Sequence, residues 1–103
     1  MATLTFTDKS GNPYNFGVHP TGTKFNNVGG VYAFTKENSD GTHKVLYVGE
    51  TESFRDRPLG WGHHKWGEAT RMGITRICVL QTSNRVFIQN KLIEAYQPPL
   101  NER

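Results

Sequence analysis

Two short β-rich runs, Val31-Tyr32-Ala33-Phe34 and Val45-Leu46-Tyr47-Val48, flank the tetrapeptide Asn38-Ser39-Asp40-Gly41. No other feature constrains the fold of this chain as much. β-Branched and aromatic residues on either side of four consecutive turn-formers predict an antiparallel hairpin. A second pair lies upstream. Thr3–Thr7 alternates, Ser10-Gly11-Asn12-Pro13 turns the chain, and Tyr14–Val18 alternates again. His19-Pro20-Thr21-Gly22 is expected to end that hairpin.

Beyond Thr51 the pattern changes. Charged and aromatic residues between Glu52 and Met72 predict two short helical stretches, interrupted around Pro58 to Gly62. Thr75 to Leu80 reads as another strand. A final helix is expected to start at Ser83 or Asn84, either of which can cap it, and to stop before Pro98-Pro99. Together these predict an α/β (α+β) fold: a central antiparallel sheet flanked by helices, with the second hairpin and Thr75–Leu80 at its centre. The 103 residues suffice for one core, so residues 1–103 are expected to form one domain. Residues 1–28 are an N-terminal hairpin extension whose place in the sheet the pattern does not reveal.

Composition narrows the function classes. Six Phe, four Tyr and two Trp argue for a packed globule over a disordered chain. No apolar run approaches the roughly 20 residues a bilayer span needs, and the start lacks a basic-then-apolar leader pattern. The expectation is therefore no membrane, and a cytoplasmic or other reducing compartment. The single cysteine, Cys78, lies within Ile77-Cys78-Val79-Leu80 and reads as a small buried hydrophobe rather than a nucleophile. The net charge of +3 is a mild excess, and its placement matters more than its size. Arg55, Arg57, Lys65, Arg71 and Arg76 crowd the middle of the chain around His63-His64. Such a patch suits a phosphate-rich partner, and a solvated surface would produce the same pattern.

At about 100° per residue, Ile88, Leu92, Ile93, Ala95 and Tyr96 gather on one inward arc of the last helix. Gln89 falls inside that arc, and Arg85 points the same way one turn earlier. A polar amide on an apolar stripe must find a partner in the core or line a site.

Four elements now stand in order. Gly30-Val31-Tyr32 opens one strand, Tyr47-Val48-Gly49 closes the next, Arg57 follows, and Gln89-Asn90-Lys91-Leu92-Ile93 runs into Pro98-Pro99-Leu100-Asn101. Over residues 29–101 the chain resembles the GIY-YIG nuclease superfamily. The resemblance implies a GIY-YIG-like core with Arg57 on the helix after the motif strands. It also implies endonucleolytic hydrolysis of a nucleic-acid phosphodiester, DNA more than RNA, with Mg²⁺ or Mn²⁺ as cofactor. Tyr32 would sit beside the attacking water, as general base or as its orienter. Tyr47 would position the phosphate or the water network, and Arg57 would fork onto the scissile phosphate, as a planar guanidinium does well. His63 or His64 would assist proton transfer. Thr51 and Asn101 match supporting positions, and Gly30 and Gly49 allow close backbone approach. Arg55, Lys65 and Arg71 would add phosphate contacts.

The chain departs from the family at Gln89, where the resemblance implies a metal-binding glutamate. A neutral amide offers one carbonyl oxygen but no negative charge to a hard cation. Glu94 is turned about 140° away around the helix, and Glu50 and Glu52 have no pattern to recommend them. Three explanations fit: an engineered Glu-to-Gln change that silences cleavage, a natural loss of cleavage with binding kept, or altered metal ligation. A non-catalytic nucleic-acid-binding module is the alternative, with Trp61 and Trp66 available for stacking on bases. A merely structural or protein-interaction domain is a third class. A lone domain of this size has little surface for reading a long site, which points to a homodimer, a structure-selective nuclease or a partner protein.

Overall fold

Left-handed glycines close both predicted hairpins: Gly11 (φ 87°) lies between β1 (Thr3–Thr7) and β2 (Pro13–Pro20), and Gly41 (φ 87°) between β3 (Gly30–Glu37) and β4 (His43–Thr51). A computed structural model describes residues 2–101, so Met1, Glu102 and Arg103, the ends of the expected 1–103 domain, lie outside the described residues. β2 runs through His19 to Pro20 instead of breaking before them. As the last residue of the strand, Pro20 has little ladder bonding to disrupt.

The fold is an α+β domain with one curled antiparallel sheet of five strands and two helices. β5 (Arg76–Gln81) inserts between β2 and β3, giving the order β1-β2-β5-β3-β4. The centre is therefore β5 with β3 beside it, and β4, expected at the centre, is an edge. The N-terminal hairpin joins the same sheet through the β2–β5 ladder, in which Gly17 pairs with Val79 and Val18 with Cys78.

Only the second of the two helical stretches expected between Glu52 and Met72 forms, as α1 (Trp66–Arg71). Residues 52–65 are turns and bends. Pro58 disfavours helical geometry at the residue before it, and Gly60 and Gly62 raise the entropy cost of a short helix that already has an expensive nucleus. Arg57 therefore stands on a turn and not on a helix. The last helix, α2 (Arg85–Tyr96), begins after Asn84 without a side-chain cap bond. It ends where Gln97 turns left-handed (φ 45°) and donates its N–H to Ile93 O at 2.8 Å, just ahead of the two prolines.

Alternation along β3 separates two apolar layers. Val31, Ala33, Cys78, Phe16, Phe6 and Val48 face α2, whose Ile88 and Leu92 are buried among them. Tyr32, Phe34, Ile77 and Leu46 face the other way, under Phe54, Leu59 and Ala69 of the segment between β4 and β5. Tyr96 is 39 % exposed, yet its hydroxyl accepts the Thr7 N–H at 2.9 Å and its ring packs on Phe6. This contact draws β1 toward α2 and helps curl the sheet. Cys78 is fully buried, and burial pushes its thiol up to about 11, as a packing residue requires. Among the described residues no helix is long and apolar enough to cross a membrane.

Candidate functional site

The site is built on the sheet face away from α2. Across that face runs the row Gly17–Val79–Tyr32–Gly49, each directly opposite the next. Gly49 is required there, because a Cβ would sit 2.5 Å from Cζ and Oη of Tyr32. Gly30 answers to packing as well: a Cβ would collide with the Leu80 carbonyl oxygen and lie 2.8 Å from the Phe54 ring. The two motif glycines thus let the Tyr32 phenol and the Phe54 ring lie flat on the sheet.

Above Tyr32 the irregular segment brings in His63 and Arg57. Tyr32 is 1 % exposed and His63 5 %, with Tyr32 Oη 2.8 Å from His63 Nε2. The Lys65 backbone N–H donates to His63 Nδ1 at 3.0 Å. That nitrogen therefore holds the lone pair, and the proton of the neutral ring sits on Nε2, which donates to the Tyr32 hydroxyl. Burial, the charge of Arg57 and the neighbouring His64 push His63 down to about 4, so the ring is neutral at physiological pH. Burial raises the Tyr32 phenol well above its ordinary value; Tyr47 adds to this and Arg57 opposes it. Tyr32 consequently remains a phenol at neutral pH.

Arg57 is fixed by a turn. Its N–H donates to Ser53 O at 3.0 Å, and the Asp56 N–H donates to Ser53 Oγ at 3.2 Å. Thr51 begins that turn, its hydroxyl accepting from Ser53 N–H at 3.2 Å and donating to Ser53 O at 3.1 Å. The guanidinium Nη2 stands 3.4 Å from His64 Nδ1 and 3.5 Å from His63 Nε2. Because His63 Nε2 already carries a proton, the second of these brings two donors together and is no hydrogen bond. Arg57 Nε is buried without a partner, and no carboxylate pairs with Arg57 among the described residues. A permanent cation held this way is short of an anion.

Tyr47 is half-buried beside these groups, its ring centroid 5.2 Å from His63, 5.8 Å from His64 and 6.1 Å from Tyr32. The two histidine rings stack at 4.6 Å. Tyr32, Tyr47, Arg57, His63 and His64 therefore meet. The basic residues expected around them are more dispersed. Arg55 is exposed and paired with Asp56 at 3.0 Å, the Lys65 ammonium lies 3.7 Å from Glu68, and Arg71 is exposed in the last turn of α1. Trp61 is 92 % exposed two residues before His63, whereas Trp66 packs its ring on Phe34 at 5.4 Å. Asn101 clamps the outer edge of β4, accepting from Val48 N–H at 2.9 Å and donating to Val48 O at 2.8 Å.

Gln89 does not join the cluster. It rides on α2, which packs against the opposite layer, and its amide nitrogen has one partner among the described residues, Asn90 Oδ1 at 3.5 Å. Glu50 and Glu52 are engaged by Arg85, at 2.7 and 3.7 Å. Sequence reasoning missed that network, because charges far apart in the chain carry no local signature. The donor set does not fit a divalent cation as the chain stands. The cluster around Arg57 contains phenols, imidazoles and a guanidinium with no carboxylate, and among the described residues no three His, Cys, Asp or Glu side chains converge. Compared with family models, with curated proteins and with solved structures, the chain finds no match in any of the three.

Proposed function

We propose that this chain is a GIY-YIG-like endonuclease domain in a form impaired for cleavage, which receives a nucleic-acid phosphodiester, DNA before RNA, on the Arg57 face. The observation that carries this is the Arg57 guanidinium, held against two imidazoles with its Nε buried and unpartnered. Arg57 is half-buried, so a phosphate would meet the solvent-facing part of its guanidinium, which no carboxylate occupies among the described residues. Tyr47 and His64, at the outer side of the cluster, would contact the same phosphate. Tyr32, a phenol hydrogen-bonded to a neutral histidine, suits orienting a water or a phosphate oxygen better than removing a proton. No step is assigned to a metal ion, since the donors present do not suit one.

A binding module without any cleavage is the second reading, favoured by Gln89 and by the exposed Trp61, two residues before His63, which offers a base a stacking surface. One experiment separates the two. Wild-type, Gln89→Glu and Gln89→Glu/Arg57→Ala proteins are incubated with plasmid and single-stranded DNA and Mg²⁺ or Mn²⁺. Cleavage by Gln89→Glu alone, abolished again by Arg57→Ala, supports the nuclease reading only by showing that a carboxylate on α2, which packs in the opposite layer, serves the Arg57 face. If neither Gln form nor Glu form cuts, yet both bind DNA in a salt-dependent way, the binding module stands. No salt-dependent binding by any form would overturn both.

A further inference from the structure

The N-terminal extension has a role beyond adding strands. Residues 21–29 link β2 to β3 without regular structure, and their Phe25 and Val28 pack on the same sheet face as Tyr32. They are fastened to the segment that carries Arg57 by the Phe54 N–H, which donates to Val28 O at 2.9 Å. Between this link and the sheet lies a cleft of about 230 Å³. Its walls are Phe25, Phe54, Val28 and Val79. Phe25 stands edge-on to His19 at 5.3 Å and 6.2 Å from Phe54. Val79 is the residue directly opposite Tyr32, so the cleft and the Tyr32 cluster are neighbours across one strand spacing. Phe54 and Arg57 belong to one turn, three residues apart.

The rim is polar. His19, Lys24, Asn26 and Gln81 border the cleft, and no side-chain hydrogen bond or ion pair engages any of the four among the described residues. Flat apolar walls, a cation and unpaired donors and acceptors at the mouth, and a volume of roughly eight waters together match one kind of ligand. That ligand is a planar heteroaromatic ring with polar edges.

We infer that this cleft is a nucleobase site, taking the unpaired base of a nucleotide that adjoins the phosphate on Arg57. It rests on the phosphodiester function proposed above and names the substrate class: a single strand, or a duplex with a base out of the stack. Phe25 and Phe54 pack against the ring, His19, Asn26 and Gln81 meet its edge, and Lys24 lies beside the backbone.

The test uses the full chain and a fluorescein-labelled oligothymidylate single strand, alongside the same strand with abasic residues. Wild-type protein is expected to bind the abasic strand roughly 10- to 100-fold more weakly. Phe25→Ala is expected to lose a similar factor on the normal strand and nothing further on the abasic strand, while Phe25→Tyr binds as wild type does. The missing second loss is what a purely structural effect of Phe25→Ala would not produce. Equal affinity of wild-type protein for both strands overturns the base site and leaves the phosphate function standing, provided that binding falls with salt and with Arg57→Ala. An equal loss by Phe25→Ala on both strands also overturns it. Failure of wild-type protein to bind either strand overturns both.

Discussion

The two faces of the sheet solve different problems. Against α2, Phe6, Phe16, Val31, Ala33, Cys78, Ile88 and Leu92 form an apolar layer, and the buried Thr35 hydroxyl beside Cys78 is satisfied by His43 Nδ1 at 2.8 Å. On the other face Tyr32, Phe34 and Ile77 lie beneath a segment that has little helix and brings a histidine and an arginine into the packing. The first arrangement holds the chain folded. The second leaves a guanidinium nitrogen unsatisfied, at a cost to stability that an apolar side chain would avoid. The contrast supports the proposed site: among the described residues, the one buried side-chain polar atom without a partner lies on the face to which that function is assigned.

The largest effect that sharpens this contrast is expected from Leu92→Ala. Leu92 is fully buried under the sheet, and truncation should cost roughly 3–5 kcal/mol in denaturant unfolding. DNA affinity per folded molecule should stay unchanged. A large loss of affinity in the folded fraction would mean that the two faces are coupled.

A smaller effect is expected from pH. His63 titrates near 4 in the folded chain and near 6.5 when unfolded, so between those values the unfolded state binds more protons. Stability should therefore be flat in this respect above pH 6.5 and fall by roughly 2–3 kcal/mol as pH drops towards 4. Thermal unfolding of wild-type and His63→Gln proteins across that window measures it, and the variant should show a shallower slope. An unchanged slope would mean that His63 is not the neutral ring hydrogen-bonded to Tyr32.

Much of the strand content was legible because it rests on local signals. Asn38-Ser39-Asp40-Gly41 and Ser10-Gly11-Asn12-Pro13 announce their turns through residues that favour turn geometry, and alternation fixes which strand residues share a face. The position of β5 was not legible, since pairing with β2 and β3 depends on contacts that span most of the chain. The helix expected around Arg57 failed because Pro58 and its glycines outweighed the charged pattern. At the site, the family resemblance grouped Tyr32, Tyr47, Arg57 and the two histidines, and the fold brings these side chains into contact. It did not reveal that Gly49 serves the Tyr32 ring, that the Lys65 amide sets the tautomer of His63, or that Arg85 holds Glu50. Each of these depends on packing between segments that sequence does not juxtapose.

The smallest expected change in stability belongs to Arg57, the residue to which the proposed function gives the largest role in binding. Removing its guanidinium leaves no carboxylate unpaired among the described residues and deletes a buried nitrogen without a partner, so stability should stay equal or rise slightly. The most direct measurement is a set of DNA-binding isotherms for wild-type and Arg57→Ala proteins at several salt concentrations, paired with their melting curves. The account predicts equal or slightly higher thermal stability for the variant, an affinity lower by roughly 10- to 100-fold, and a salt dependence weaker by about one phosphate contact. A variant that melts well below wild type while binding DNA with undiminished affinity and salt dependence would contradict it, and would make Arg57 a structural residue.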